Sequence, residues 1–277
     1  YSVTGGPSGT LTVNPKVISL TVADKVYDGT TSLTGQVSIT TGISSGGITE
    51  DLNYENAVSN NKNVVTAQSK YLSGITLTDG VNGLAANYTT PTLDRDNSAA
   101  VTITPKQVKL SASKVFDGTT TLSSVNIFTD GDDGYLGGET LTFSGAKSTS
   151  IHVENGNNRI KQITLEDGTD GNGGIATNYE LPEEFTTSNA PVTITVKTLT
   201  PTLTNTGETK EYDGTVSAPS DFTPTYSFVG LVSGDNDASL SHIDANYDNA
   251  NVGTGKTLTV TGLTINSIGG DGTRASN

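Results

Sequence analysis

The chain has 277 residues and a formal net charge of −14, from 15 basic and 29 acidic residues. So few cations argue against binding to nucleic acid or anionic lipid, because little is present to replace the counterions of phosphate groups. The chain has no Cys, which excludes disulfides, thiolate nucleophiles and zinc–cysteine sites. No apolar run approaches the ~18 residues of a membrane span. We predict no nucleic-acid partner and no direct membrane insertion.

A six-residue motif of the form Lys-x-aromatic-Asp-Gly-Thr occurs three times, at residues 25–30, 114–119 and 210–215. Its aromatic residues are 89 and 96 residues apart, which is the length of a small domain rather than of a solenoid rung. The period predicts a terminal strand of a preceding repeat followed by three segments, of which the last lacks its final strand. These are residues 1–15, the first segment (16–105), the second segment (106–197) and the third segment (198–277).

An alternating run of apolar residues and Thr precedes each segment. Residues 11–16 read Leu-Thr-Val-Asn-Pro-Lys, and residues 101–106 and 192–197 repeat the pattern. A period of two predicts a half-buried strand, which Pro15 and Pro105 end because Pro cannot donate to a ladder. A second alternating run follows at once. The linkers are therefore nearly absent, and we expect neighbouring segments to be held stiffly.

The Asp-Gly pair of the motif predicts a tight turn near the start of each segment. Gly takes positive φ at little cost, and Asp hydrogen-bonds the nearby backbone. The aromatic residue before the turn is expected to fill one end of a core, and ligand stacking is the alternative. This structural motif comprises Tyr27, Asp28, Gly29, Phe116, Asp117, Gly118, Tyr212, Asp213 and Gly214.

The later half of each segment also recurs. Residues 74–80 parallel residues 162–168, and the Ala-Asn-Tyr of residues 86–88 parallels the Thr-Asn-Tyr of residues 177–179. The third segment reaches the same point at Ala275-Ser276-Asn277, where the next expected residue is Tyr.

The segment boundaries are out of register with the chain ends, since the chain begins at Tyr1 and stops at Asn277. We expect head-to-tail continuation, either because the chain is a window of a longer array or because its first strand completes the third segment of another subunit. A heterologous contact of that kind builds an open filament. The expected partner is the chain itself or further repeats of the same array.

Two acidic, glycine-rich stretches are candidates for a calcium site, because calcium binds clustered oxygen ligands and Gly permits sharp turns. Neither has EF-hand spacing, and Asp-Gly clusters are also typical of β-turns, so both interpretations stay open. No other cofactor is predicted. The candidate ligands are Asp130, Asp132, Asp133, Asp167 and Asp170.

Catalysis is not expected. The only histidines are His152 and His242, which lie at non-equivalent places without a flanking nucleophile motif. A pair of carboxylates for glycoside hydrolysis is not singled out by any pattern. A lysine isopeptide crosslink is a further hypothesis, because Lys25, Lys114 and Lys210 occupy equivalent positions, as do Asn87, Asn178 and Asn277.

The fold class is predicted to be all-β. Thr, Val, Ile, Gly and Asn are frequent, and no long i, i+3, i+4 apolar pattern indicates a helix. Each segment is expected to hold six to eight strands in a β-sandwich-like domain, and a β-grasp-like sheet with one short helix is the alternative. Together the segments would form a tandem array in an elongated rod.

The Lys-x-Tyr-Asp-Gly-Thr start, the Asn-Val-Gly-Thr-Gly-Lys-Thr-Leu stretch at residues 251–258 and the Asn-Tyr near the end of a segment resemble the YDG domain of large bacterial adhesins and exoproteins. The resemblance extends over essentially the whole chain, three times. It implies repeated all-β extracellular modules that build stalks or fibres, and it brings no catalytic residue with it. The first and second segments depart from the pattern at residues 62–65 and 152–156.

The combined expectation is a structural stalk or fibre-forming segment of an extracellular bacterial surface protein, with no enzymatic activity. The alternative is an adhesin module whose loops bind a surface glycan, a matrix component or a host protein. The most variable stretch of each segment is where a binding loop would diverge, but a stalk would tolerate drift there as well.

Overall fold

The computed structural model describes residues 5–6, 8–129, 138–153, 156–270 and 272–277. These residues form β-strands and short 3-10 turns without an α-helix, so the predicted all-β class is confirmed. The choice between a sandwich-like and a β-grasp-like unit stays a prediction. Within the described ranges, no helix combines the length and apolar character needed to cross a bilayer.

Twenty-three strands are present in the described residues. In chain order they are β1 (Lys16–Val17), β2 (Ser19–Val22), β3 (Lys25–Val26), β4 (Val37–Thr40), β5 (Ser44–Ser45), β6 (Ile48–Thr49), β7 (Leu52–Ser59), β8 (Leu72–Asp79), β9 (Tyr88–Thr89), β10 (Ile103–Thr104), β11 (Lys106–Gln107), β12 (Lys109–Val115), β13 (Asn126–Phe128), β14 (Leu141–Ser148), β15 (Ile160–Asp167), β16 (Tyr179–Glu180), β17 (Val192–Thr195), β18 (Thr200–Leu203), β19 (Tyr226–Val229), β20 (Ala238–Ser241), β21 (Asp244–Tyr247), β22 (Leu258–Thr261) and β23 (Thr264–Ile268).

The 3-10 turns lie at Ala85–Asn87, Ala176–Asn178 and Gly272–Ser276. Each one delivers an Asn at its end or directly after it, because Asn87 and Asn178 are the last residues of their turns and Asn277 follows the third. The equivalent asparagines of the repeat are therefore presented by the same local geometry.

The chain divides into two compact units. The first consists of Tyr1–Lys109, Ile127–Thr142 and Leu165–Pro182, and the second of Leu110–Asn126, Phe143–Thr164 and Glu183–Asn277. This division is made by spatial contacts, and the three sequence segments remain a prediction.

In the first unit, antiparallel pairs alternate with short parallel ones. Strands β2 and β7 pair antiparallel with β4 and β8, while β1, β3 and β11 pair in parallel with β9, β10 and β16. The core is apolar and aromatic, and its fully buried side chains include Tyr27, Leu33, Leu72 and Val108. Removing these side chains from water is the main favourable contribution to folding of the unit.

In the second unit, β12 pairs in parallel with β17, and β18, β20 and β21 pair antiparallel with β19, β23 and β22. Leu110, Ile160 and Ala190 are fully buried. The alternation of buried and exposed residues along β17 matches the Val-Thr-Ile-Thr sequence, with Val192 and Ile194 inside and the Thr residues outside. The strand thus has the half-buried character that its sequence predicts.

Strands β14 and β15 pair with each other, and the turn after β15 is held close to the chain before β14. A side-chain Cβ on Gly168 would lie 2.1 Å from the carbonyl oxygen of Thr140, whereas a Cβ on Gly171, in the same turn, would meet no atom within 4 Å. The two glycines therefore differ in the space around them although they lie in one loop.

We expect Gly168→Ala to lower the free energy of unfolding by about 1–3 kcal/mol, because the backbone must move to admit the methyl group. The matched substitution Gly171→Ala is expected to change it by less than about 0.5 kcal/mol. Urea denaturation of both variants measures the difference. Equal stabilities of the two variants would contradict the close approach at Gly168.

Candidate functional site

The repeated motif forms the same closed hydrogen-bond network each time it occurs. In the first segment, the Asp28 carboxylate accepts from the backbone N–H and the hydroxyl of Thr30, both at 2.9 Å. The Lys25 ammonium lies 2.8 Å from the Asp28 carboxylate and donates to the carbonyl oxygens of Thr30 (2.9 Å) and Ser32 (2.7 Å). The lysine therefore ties the turn to the chain that follows it.

The second and third copies repeat these contacts. The carboxylate-to-ammonium distances are 2.6 Å for Asp117 with Lys114 and 2.8 Å for Asp213 with Lys210. The central glycines of the three turns have φ of 77°, 76° and 78°, which is the left-handed region that favours Gly. In each copy the lysine ammonium group contacts the Asp carboxylate and donates to the backbone and side-chain oxygens that follow it.

These contacts shift the titration of the aspartates. At Asp213 the hydrogen bond from Lys210 and the backbone N–H of Thr215 lower the carboxyl pKa to about 2. At Asp28 and Asp117, burial raises the pKa, but the hydrogen bonds from the lysine and the threonine outweigh it and the net pKa is lowered. The turn is thus built around an ionised carboxylate.

The aromatic residue of the motif has two environments. Tyr27 and Phe116 are 1% and 5% exposed, whereas Tyr212 is 69% exposed. The first two rings are therefore buried and the third lies in solvent, while the role of filling one end of a core stays a prediction.

Tyr27 belongs to a polar cluster within the first unit. Its hydroxyl donates to Glu139 at 2.8 Å, the Tyr179 hydroxyl donates to the same carboxylate at 2.9 Å, and the Lys62 ammonium reaches it at 3.1 Å. The Tyr27 and Tyr179 rings pack edge to face with centroids 5.5 Å apart, a favoured arrangement for aromatic pairs. One carboxylate thus holds two rings and one cation together.

The cluster favours the charged carboxylate and the neutral phenols. Burial raises the pKa of Tyr27 and Tyr179, and the hydrogen bonds to the Glu139 carboxylate raise it further. Burial also raises the Glu139 pKa, but donation from Tyr27, Lys62 and Tyr179 outweighs it, so the net pKa of the carboxyl is lowered.

The buried amide of Asn178 makes a second contact in this unit. Its Oδ1 accepts the backbone N–H of Val64 at 2.8 Å, and its Nδ2 donates to the Asn63 Oδ1 at 3.1 Å. Asp167 supports this placement, because its carboxylate accepts the N–H of Ala176 at 2.7 Å, at the start of the turn that carries Asn178.

Asn277 makes the equivalent contact within the second unit. Its Oδ1 accepts the backbone N–H of Val153 at 3.0 Å, and its Nδ2 lies 2.7 Å from the Nδ1 of His152. Donation by the amide requires the His152 tautomer that carries its proton on Nε2. In both units, therefore, the oxygen of an Asn amide accepts a backbone N–H, and its nitrogen contacts the side chain of the residue just before the one that carries that N–H.

The chain that ends a segment hydrogen-bonds to two other stretches of backbone. In the first segment, the N–H groups of Leu72, Lys25 and Tyr27 donate to the carbonyl oxygens of residues 99, 102 and 104 at 2.9–3.0 Å. In the second segment, Ile160 and Phe116 donate in the same way to residues 190 and 195, both at 2.9 Å. The apolar residues of these two strands are buried.

The third segment has an open cleft at the corresponding place. The cleft has a volume of about 720 Å³ and is lined by Lys210, Tyr212 and Leu258 among others. Leu258 pairs with Tyr247, as Leu72 pairs with Ser59. At the other end of the chain, Leu11 and Val13 are 88% and 85% exposed and belong to no strand.

The calcium hypothesis stays a prediction. Asp167 and Asp170 are engaged in turn contacts, since Asp170 accepts the Thr140 hydroxyl at 2.6 Å and the N–H of Asn172 at 3.0 Å. Among the described residues, no group of three or more His, Asp or Glu side chains is arranged to hold a metal ion. Asp130, Asp132 and Asp133 lie outside the described residues.

Sequence reasoning identified the motif turns and the equivalent asparagines, but it did not identify Glu139, Lys62 or His152 as their partners. These partners can be found in a gap-free alignment of residues 50–64, 139–153 and 238–252. It places Asn63 with His152, and Glu139 with Glu50, which accepts a hydrogen bond from the Tyr88 hydroxyl as Glu139 does from Tyr179.

Residues 195–277 contain a YDG domain, by a match to the model of that family. No curated protein and no solved structure was found to match the chain. The match spans the third segment, including its Lys210–Thr215 motif.

Site-specific NMR titration of the Asp213 carboxyl is expected to give a midpoint near pH 2. Because its folded pKa is depressed, the stabilising contribution of this group is present above its unfolded pKa of about 3.9. It is lost as pH falls through the folded value. Lys210→Met should return the midpoint toward about 3.9, and an unshifted midpoint in the wild-type chain would disprove the network.

Asn178→Ala is expected to lower the free energy of unfolding by about 1–3 kcal/mol, since it leaves the N–H of Val64 without its acceptor. The matched control is Asn87→Ala, at the equivalent but exposed position, for which we expect a change below about 0.5 kcal/mol. Urea denaturation measures both. Similar losses at the two positions would show that the Asn stabilises its own turn rather than the contact.

Proposed function

We propose that this chain is a structural, non-catalytic segment of an extracellular bacterial surface protein. In this proposal, its three segments are YDG-type repeats of a large adhesin that form an elongated stalk or fibre. The YDG domain at residues 195–277 and the threefold motif network support the assignment. The observation that carries it furthest is the open cleft of the third segment, together with the exposed strand-like sequence at residues 11–14.

The cleft and the exposed sequence are complementary. Leu11 and Val13 align with Val101 and Ile103 of the first segment, which are buried at the corresponding place. The next residue of the alignment, Asn14, matches Thr104, whose carbonyl oxygen accepts the N–H of Tyr27 at 2.9 Å. Seated in the cleft, residues 11–14 would offer the same acceptor to Tyr212.

We propose strand donation as the mechanism of continuation. A strand with the pattern of residues 11–14, from a further repeat of the array or from a second copy of the chain, completes the third segment, and residues 11–14 lead directly into the first segment at Lys16. This is the connection that joins the first segment to the second, where β10 is followed by β11 after one residue, Pro105. A head-to-tail contact of this kind does not close and therefore extends into a filament.

The mechanical role follows from the connection. The strand that completes one segment leads directly into the next, so a junction has no flexible linker to bend. The lysine–aspartate network holds the turn beside this strand in the first and second segments. Length and stiffness would then be set by the number of repeats, and the acidic surface would keep the fibres apart from one another.

The proposal predicts concentration-dependent self-association of the full chain in sedimentation velocity experiments. Leu11→Asp combined with Val13→Asp should abolish it, because two charged side chains would replace apolar ones whose counterparts, Val101 and Ile103, are buried. The matched control is Thr12→Asp, whose counterparts Thr102 and Thr193 are exposed, and it should associate like the wild type. Association that is unaffected by the double substitution would contradict strand donation, and a strictly monomeric chain would contradict self-continuation.

A further inference from the structure

We propose that segments recognise each other through a matched pair, in which a Tyr hydroxyl on one segment meets a Glu on the next, and that Tyr212 of one chain docks on Glu50 and Tyr88 of a second copy. The inference rests on the proposed head-to-tail function and adds the residues that decide which ends fit. Its basis is a comparison of contacts already present inside the chain.

The first contact is polar. Within the first unit, Tyr27 donates to Glu139 at 2.8 Å and Lys62 reaches the same carboxylate at 3.1 Å. Tyr27 and Lys62 belong to the first segment, and Glu139 belongs to the second. Since the phenol is buried and the carboxylate is mostly so, neither group can be left without its partner at little cost.

The corresponding positions of the next pair of segments hold apolar residues in the sequence alignment. The motif aromatic is Phe116, which has no hydroxyl, and the gap-free alignment places Ile151 with Lys62 and Ala238 with Glu139. Phe116 and Ala238 are both buried. Loss of the donor in one segment therefore coincides with loss of the acceptor in the next, as expected if the two positions are matched across the contact.

The Asn contact is retained in both cases. Asn178 binds the Val64 N–H, and Asn277 binds the Val153 N–H. This contact occurs both where the motif aromatic is Tyr27 and where it is Phe116, so it does not distinguish the two cases. The aromatic residue and its partner are therefore the positions that would determine which segments fit each other.

The third segment has the hydroxyl-bearing aromatic residue of the first but not its lysine, since the alignment places Ala250 with Lys62. Tyr212 carries a hydroxyl and is 69% exposed, and Val252, the counterpart of Val64, is exposed as well. By the matching rule, this end fits a segment that offers a Glu, and it does not fit one that offers an Ala as Ala238 does.

The first segment presents the complementary end. Tyr88 donates to Glu50 Oε2 as Tyr179 donates to Glu139 Oε2, and Asn87 is exposed. In the part of the chain that the structure describes, no donor reaches the Oε1 of Glu50, which corresponds to the oxygen that Tyr27 binds on Glu139. The Oε1 of Glu50 can accept a hydrogen bond, and the exposed Tyr212 hydroxyl of a second copy of this chain can donate it.

A double-mutant cycle on the self-association of the full chain tests the pairing. Tyr212→Phe is expected to raise the dissociation constant roughly tenfold, since it removes one hydrogen bond to a charged group. In a Glu50→Ala background the same substitution should change it less than about twofold, because the acceptor is already absent. Glu55→Ala removes the same charge from an exposed position of the same segment and should leave association unchanged.

The outcomes separate this inference from the function it rests on. If Leu11→Asp with Val13→Asp abolishes association but Tyr212→Phe has no effect, strand donation stands and the matched pair is wrong. If Tyr212→Phe acts equally in both backgrounds, the two residues do not face each other and the inference is again wrong. A chain that stays monomeric at every concentration overturns both proposals. A coupling of about tenfold between Tyr212 and Glu50 supports the pair.

Discussion

The structure depends on a parallel strand pair that lies beside a lysine-anchored turn. In the first segment β10 lies against β3, and in the second β17 lies against β12. The strand that covers the core is the last one of its segment. The core is therefore complete only when the final residues of the segment are in place. Because the next segment begins one or two residues later, completing one core also fixes the start of the next. In the proposed three-segment arrangement, the strand that completes one core would therefore also set the start of the next segment.

The lysine of the motif has a structural task in this arrangement. Its ammonium group binds an aspartate and two carbonyl oxygens in each of the three copies. Such a network needs an ionised carboxylate, and the lowered aspartate pKa values agree with that requirement. The residues that look most like a site in the sequence are thus bound to one another, and the proposed recognition between segments would use the rings and amides beside them.

Those surfaces combine a constant part with a variable part. The Asn amide that binds a backbone N–H depends on main-chain geometry and so tolerates Asn or His at the neighbouring side chain. The ring position depends on side-chain chemistry, and it changes from Tyr with Glu and Lys to Phe with Ala and Ile. In the proposed array, a contact of this design would keep one geometry while varying which neighbours fit.

The sequence by itself determined the period, the all-β class, the positive-φ glycines of the motif and the equivalence of the three asparagines. These features depend on local backbone preference and on alternation of apolar residues, both of which are visible within a few neighbouring positions. Only the tertiary structure decided that Glu139 lies against Tyr27, 112 residues away, and that Tyr212 is exposed while its two counterparts are buried. A side-chain contact between distant segments leaves no periodic trace, because it is set by how strands pair in three dimensions rather than by the residues on either side.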